Sequence, residues 1–92
     1  KSIYLTIDDS PSKDMKEKVD YLLNHHIPAI WYCRGEFMQR ELSSVIYAIQ
    51  KGFWIGNHSY THPYFSQLSL NECIEEIQKT EKWIDHAYHK AG

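Results

Sequence analysis

Short apolar runs alternate with stripes of helical period along this chain, and only a few residues join each to the next. Ile3, Leu5 and Ile7 alternate with Tyr4 and Thr6, which reads as a first strand. Ser10-Pro11-Ser12 interrupts it; Pro11 suits a turn or a first helical position, and Ser12 an N-cap. Met15, Val19, Leu22 and Leu23 recur at helical spacing, so a helix is expected from about Lys13 to Asn24, before the break at Pro28. Ala29-Ile30-Trp31-Tyr32-Cys33 is a continuous apolar run, as in a strand buried on both faces, and Gly35 closes it. Leu42, Val45, Ile46 and Ile49 form the next helical stripe, with Gly52 just past its expected end. Phe53-Trp54-Ile55 reads as a third short strand leading into Gly56. The last helix has the clearest start. Ser69 and Glu72 have capping-box spacing, and Leu68 is placed to pack on Cys73 as a hydrophobic staple. Leu70, Ile74, Ile77, Ile84 and Tyr88 then fall near one face, away from Glu75, Lys79 and Lys82, out to about Lys90.

The sum is β-α-β-α-β-α with short connections, an α/β pattern that predicts parallel strands covered by helices through right-handed crossovers. Ninety-two residues allow at most one small domain, taken as residues 1–92. In such folds chemistry gathers at the C-terminal ends of the strands. Asp8 and Asp9 end the first strand and His58 follows the third, so residues far apart in sequence are expected on one rim.

Composition narrows the function. With 42% hydrophobic and 24% charged residues, the chain has globular rather than disordered character. A net charge of −2 without a Lys/Arg block gives no support to nucleic-acid binding or a polybasic membrane contact. No apolar segment approaches the ~18 residues of a membrane span. Lys1-Ser2-Ile3 enters a strand at once without a signal-peptide pattern, so removal of an upstream segment is expected. Cys33 and Cys73 belong to no C-x-x-C pair and read as two buried thiols. Trp31, Tyr32, Trp54 and Trp83 are expected in the core, while Tyr60, Tyr64 and Phe65 flank a histidine pair and offer a wall for stacking a sugar.

That pair lies in Asn57-His58-Ser59-Tyr60-Thr61-His62. Imidazoles four residues apart point at one ion if the backbone there turns like a helix. Asp8 and Asp9, at the end of a buried strand, carry a desolvation cost that a bound cation offsets. Together they point to a mixed Asp/His metal site with a spare carboxylate beside it. Each half also has a plainer reading: Asp8-Asp9 as a turn before Ser10-Pro11, and the histidines as loop residues bonded to backbone. His25-His26 suit the negative end of a helix dipole, and His86 and His89 a solvated helix face. Arg34 and Glu36 follow the second strand onto the same rim, as substrate contacts or as a surface ion pair.

These motifs carry a resemblance. Thr6-Ile7-Asp8-Asp9-Ser10-Pro11 resembles the T-F-D-D-G-P motif of the NodB-homology polysaccharide deacetylases, carbohydrate esterase family four, and His58-Ser59-Tyr60-Thr61-His62 its H-[S/T]-x-x-H motif. Ile27 to Tyr32, Gly52 to Asn57 and Ser66 to Ser69 resemble the family's surrounding segments. The resemblance implies that Asp9, His58 and His62 hold a divalent metal, most often zinc, and that Asp8 is the general base. The implied reaction removes acetyl groups from N-acetylglucosamine-containing polysaccharide: peptidoglycan, chitin-like oligomers or secreted polymers. It also implies an exported or surface enzyme with an N-acetylated polysaccharide or oligosaccharide as partner. Ser10 stands where the family usually has glycine, which matters if that position needs a positive φ.

The family fold is a distorted (β/α) barrel of roughly twice this length. The family's further motifs, which supply an arginine, an acid-tuning aspartate and a leaving-group histidine, have no counterpart before Gly92. The chain therefore reads as the first half of that barrel, with exposed strand edges, needing its C-terminal half or self-association. Two rival readings follow: a catalytically silent carbohydrate- or metal-binding module, and a cyclic-amide hydrolase of related fold. Refolded alone, residues 1–92 are expected to self-associate or to lack a cooperative transition; sedimentation together with urea unfolding checks this, and a monomer with a sharp transition contradicts it.

Overall fold

The structure is a computed structural model and describes residues 4–92, so Ile3 of the expected first strand lies outside the described residues. Its elements are β1 (Leu5–Ser10), α1 (Met15–Asn24), β2 (Ala29–Cys33), α2 (Gly35–Met38), α3 (Leu42–Gln50), β3 (Trp54–Asn57), a 3-10 turn (Phe65–Gln67) and α4 (Leu70–Ala91). The strands are parallel in the order β1-β2-β3. The expected α/β alternation is realised, with one insertion, α2.

Local chemistry explains the boundaries. α1 and α3 end identically. His26 donates to the Leu23 carbonyl and Ile27 to that of Leu22; Gly52 donates to Ile49 and Phe53 to Ala48. Both are Schellman motifs, with His26 (φ 56°) and Gly52 (φ 94°) in the left-handed position. Each motif turns the chain directly into the next strand, which keeps the connections short. α4 starts on a complete capping box: Glu72 N donates to Ser69 Oγ at 3.2 Å, and Ser69 N donates to Glu72 Oε1 at 2.9 Å.

The core lies on one side of the sheet. Met15, Val19, Trp31, Cys33, Met38, Val45, Ala48 and Ala87 are essentially inaccessible there. Along β2, Ala29, Trp31 and Cys33 are buried while Ile30 and Tyr32 are only half-buried. The expectation of a strand buried on both faces is thus corrected: the described helices cover one face. Register places Thr6, Ile30 and Trp54 in line on the other. Trp54 is 62% exposed and stacks on Tyr4, so it is not a core residue as expected; Trp31 is one, and Trp83 packs against the core.

α4 uses only part of its apolar stripe. Thr80, Ile84 and Ala87 are buried, whereas Leu70, Ile74 and Ile77 are exposed. Its first half leans on the last residue of β3 and the segment after it, through the Ile77 carbonyl, Glu76 and Cys73. Cys73 is consequently half-buried, a second correction. Cys33 is buried as expected, and burial pushes its thiol up to about 12; both cysteines are free.

Removing the capping hydroxyl in Ser69→Ala is expected to cost about 1 kcal/mol in urea unfolding. The bonds from Ser69 lower the pKa of Glu72 from its ordinary 4.5. A depressed carboxylate stabilises the fold in full above 4.5 and loses that contribution as pH falls through the lowered folded value. The stability gap between wild type and Glu72→Gln should therefore close in acid, as read by unfolding at pH 7 and pH 3.

Candidate functional site

The aspartate pair sits on a break in the ladder. Ile7 pairs with Trp31 and Ser10 with Cys33, so Asp8 and Asp9 together oppose the single residue Tyr32. In a regular strand they would point to opposite faces. The extra residue re-aims the chain, as bulges do. Asp9 takes φ 59°, a left-handed conformation that Asp tolerates better than most residues. Ser10 has no positive φ; it is buried, and its carbonyl accepts from Arg34 N at 2.8 Å. Serine in place of glycine therefore adds no strain of that kind.

β3 delivers the histidines. His58 N donates to the Cys33 carbonyl at 3.0 Å, extending the pairing one step beyond Asn57. The chain does not then turn as a helix, contrary to the condition set by the four-residue spacing. Residues 58–62 form an irregular loop with Ser59 (φ 64°) and His62 (φ 60°) left-handed. Asn57 Oδ1 accepts from Ser59 N, and Ser59 Oγ accepts from His62 N at 3.0 Å. The loop folds back so that the two imidazole centroids lie 4.5 Å apart.

One ligand atom each from Asp9, His58 and His62 lie within 4.8 Å of one another. His58 Nε2 is 3.3 Å from Asp9 Oδ1. Two donors about 2.1 Å from a tetrahedral ion stand roughly 3.4 Å apart, so this spacing fits a shared zinc-sized cation. The Asp9 side chain is about half exposed and that of His58 a quarter, which leaves the centre open on one side. Asp8 is exposed and lies outside the three-residue cluster.

Arg34 borders the cluster. Its guanidinium pairs with Glu36, lies 3.9 Å from Asp9 Oδ1, donates to the Thr61 carbonyl at 3.1 Å and covers the Phe37 ring. The ion-pair reading of Arg34 and Glu36 holds, with contacts to the site in addition. Of the three aromatics expected as a sugar wall, Phe65 lines a 430 Å³ cavity beside His58 and His62. Tyr60 is instead held between Gly35 and Lys79, and Tyr64 points to solvent. A 350 Å³ hollow at the other end of the strands, around Tyr4, Ile27 and Trp54, has no carboxylate–imidazole cluster among the described residues.

Two features of the site escaped sequence reasoning. α2 is a single helical turn, too short to show a period, and its first amides hold the histidine loop: Gly35 N donates to Ser59 O and Glu36 N to Tyr60 O. Glu76 accepts from the other side of that loop. Glu72, Glu75 and Glu76 look alike in sequence, and nothing local singles out the third.

A parallel α/β sheet with its polar cluster on the carboxyl rim is the class in which chemistry sits at strand ends. Comparison with known proteins agrees. Residues 1–92 match the family model described as polysaccharide deacetylase, and the chain belongs to that family. It is 32% identical over 84 residues to a peptidoglycan-N-acetylglucosamine deacetylase of Bacillus cereus, covering 90% of this chain and 30% of that protein. A chitooligosaccharide deacetylase of Bradyrhizobium is 28% identical over 92 residues, covering 99% and 42% respectively. A family 4 carbohydrate esterase from Streptomyces lividans, solved in complex with acetate, superimposes with a TM-score of 0.88 at 32% identity, over 92% of this chain and 44% of that one. The chain thus spans less than half the length of these relatives.

A Cβ at Gly35 would overlap Tyr60 Cδ1 and sit 2.8 Å from Thr80 Oγ1. Gly35→Ala should therefore push the Tyr60 ring off α2 and destabilise the fold by about 1–3 kcal/mol, measured by chemical denaturation.

Proposed function

We propose that this chain forms part of a metal-dependent hydrolase that removes acetyl groups from N-acetylated polysaccharide, with Asp9, His58 and His62 holding a divalent ion, zinc by preference, and Asp8 as base. The supporting observation is the convergence of one carboxylate and two imidazoles to within 4.8 Å on the open rim. When bound there, such an ion supplies Lewis acidity toward an amide carbonyl and acidifies a water. The remaining work falls to the chain. Asp8, next to Asp9 on the bulge and exposed, accepts at its carboxylate the proton lost by the attacking water. Asn57 and Ser59 keep the histidine loop folded back. The 430 Å³ cavity beside the rings falls in the size range of small-molecule sites and receives the sugar that bears the acetyl group, against Phe65.

The relatives are named for peptidoglycan and chitooligosaccharides. We extend that substrate class, N-acetylglucosamine polymers, to this protein. Because such polymers lie outside the cytoplasm, we also propose an exported or surface location. The open sheet face, with Trp54 exposed, is proposed to be covered in the working protein by further polypeptide, the C-terminal half or a second copy, which supplies the acid for the leaving amine.

Acetate release from an N-acetylglucosamine oligomer by the intact protein tests the reading. A chelator should abolish turnover and zinc restore it. His58→Ala and His62→Ala should each lose stoichiometric zinc. Asp8→Asn should keep zinc yet lose about 10²–10⁴ of the rate; full activity in that variant removes Asp8 as the base. Zinc binding without acetate release in the intact protein supports the silent-module reading instead.

A further inference from the structure

We propose that Glu76, on α4, is the positioning residue that holds the two-histidine loop in its ligating shape; the proposal rests on the metal-dependent reading above. The backbone groups in the middle of the loop divide into two sets with separate partners. The Ser59, Tyr60 and Thr61 carbonyls all face the α2 side, where Gly35 N, Glu36 N and the Arg34 guanidinium donate to them. The amides face the other way. Asn57 takes Ser59 N, and Ser59 Oγ takes His62 N. The two between them fall to one carboxylate: Glu76 Oε1 accepts from Tyr60 N at 2.9 Å and from Thr61 N at 2.8 Å, while Oε2 accepts from Thr61 Oγ1 at 3.1 Å.

Three properties set Glu76 apart from the other contacts. It is the charged acceptor on the amide side, and charge-assisted bonds are the strong ones. It comes from a helix anchored by the buried Thr80 and Ile84, so it ties the loop to the core rather than to itself. It grips the middle of a segment whose flanking residues, Ser59 and His62, are both left-handed and not glycine. Such conformations persist where surrounding bonds over-determine them. Releasing the middle lets both residues relax, and the imidazoles lose their common focus. Lys79, over the Tyr60 ring at 4.6 Å, closes the same side of the loop.

Zinc affinity of the intact protein, read by competition with a chromophoric chelator, tests this together with amide hydrogen exchange of the metal-free protein. Glu76→Ala should weaken zinc binding on the order of 10-fold or more. It should also speed exchange at Tyr60 and Thr61 while leaving Trp31 and Val45 protected. Glu76→Gln, which keeps an acceptor oxygen, should recover much of both. Val45→Ala, a core truncation away from the site, should lower stability without changing zinc affinity, which separates positioning from general loosening. If Glu76→Ala does not fold, Glu76→Asp, one methylene too short to keep all three bonds, takes its place with the same expected losses. Failure of the unmodified protein to bind zinc would overturn the metal-dependent reading, and this role with it. Zinc binding by the unmodified protein, undiminished in the Glu76 variant, would overturn the role of Glu76 alone.

Discussion

Two ladders of parallel hydrogen bonds, one along each edge of β2, hold the molecule and its site in register. Cys33, the last residue of β2, pairs with Ser10 on one side and Asn57 on the other. The residues next to those partners are Asp9 and His58, whose side chains meet at 3.3 Å. The meeting is therefore set by backbone pairing before any side chain takes part. Burial of Trp31 and Cys33 against the helices secures that pairing, because slipping a strand by one residue would turn its buried side chains to the open face. Core packing and ligand geometry are thus one constraint seen from two ends of the strand.

Register brings the chains close; irregular backbone aims the side chains. Among the described residues, four that are not glycine have positive φ, and three of them, Asp9, Ser59 and His62, belong to the site. The fourth, His26, closes a helix. A bulge supplies the first turn toward the focus, and a loop bonded to two separate helices supplies the others. Conformations of this kind cost of order 1–3 kcal/mol each, so they need external support. α2 and α4 give it from opposite sides, by offering donors to the loop's carbonyls and an acceptor to its amides.

Much of this was legible in the sequence. The bounds of β2 are legible there, because a five-residue apolar run between Pro28 and Gly35 leaves little freedom. Ser69 and Glu72 announced α4, since a capping box is a local reciprocal bond that neighbours scarcely alter. Gly52 marked the end of α3 for a similar reason. The Asp8-Asp9 pair, His58 and His62 were legible as candidates because carboxylate and imidazole at strand ends are unusual, and the motif resemblance singled out Asp9 of the pair. Less was visible of burial. Trp54 and the first half of the α4 stripe are apolar but exposed, since hydrophobicity says that a side chain gains by burial, not which surface is at hand to bury it.

The alternation of strands with the main helices and the parallel sense of the strands were legible in sequence alone, because they depend on local periodicity, capping and chain-length limits; the candidate ligands were legible from residue type at the strand ends and from the motif resemblance. The tertiary structure alone decided how those ligands converge: through a bulge and a left-handed loop instead of a helical turn, with Glu76 chosen from three similar acids and a one-turn helix inserted after β2. The physical reason is that these features are satisfied by partners distant along the chain. A loop amide that ends on a carboxylate fifteen or sixteen residues away leaves no trace in the pattern around it.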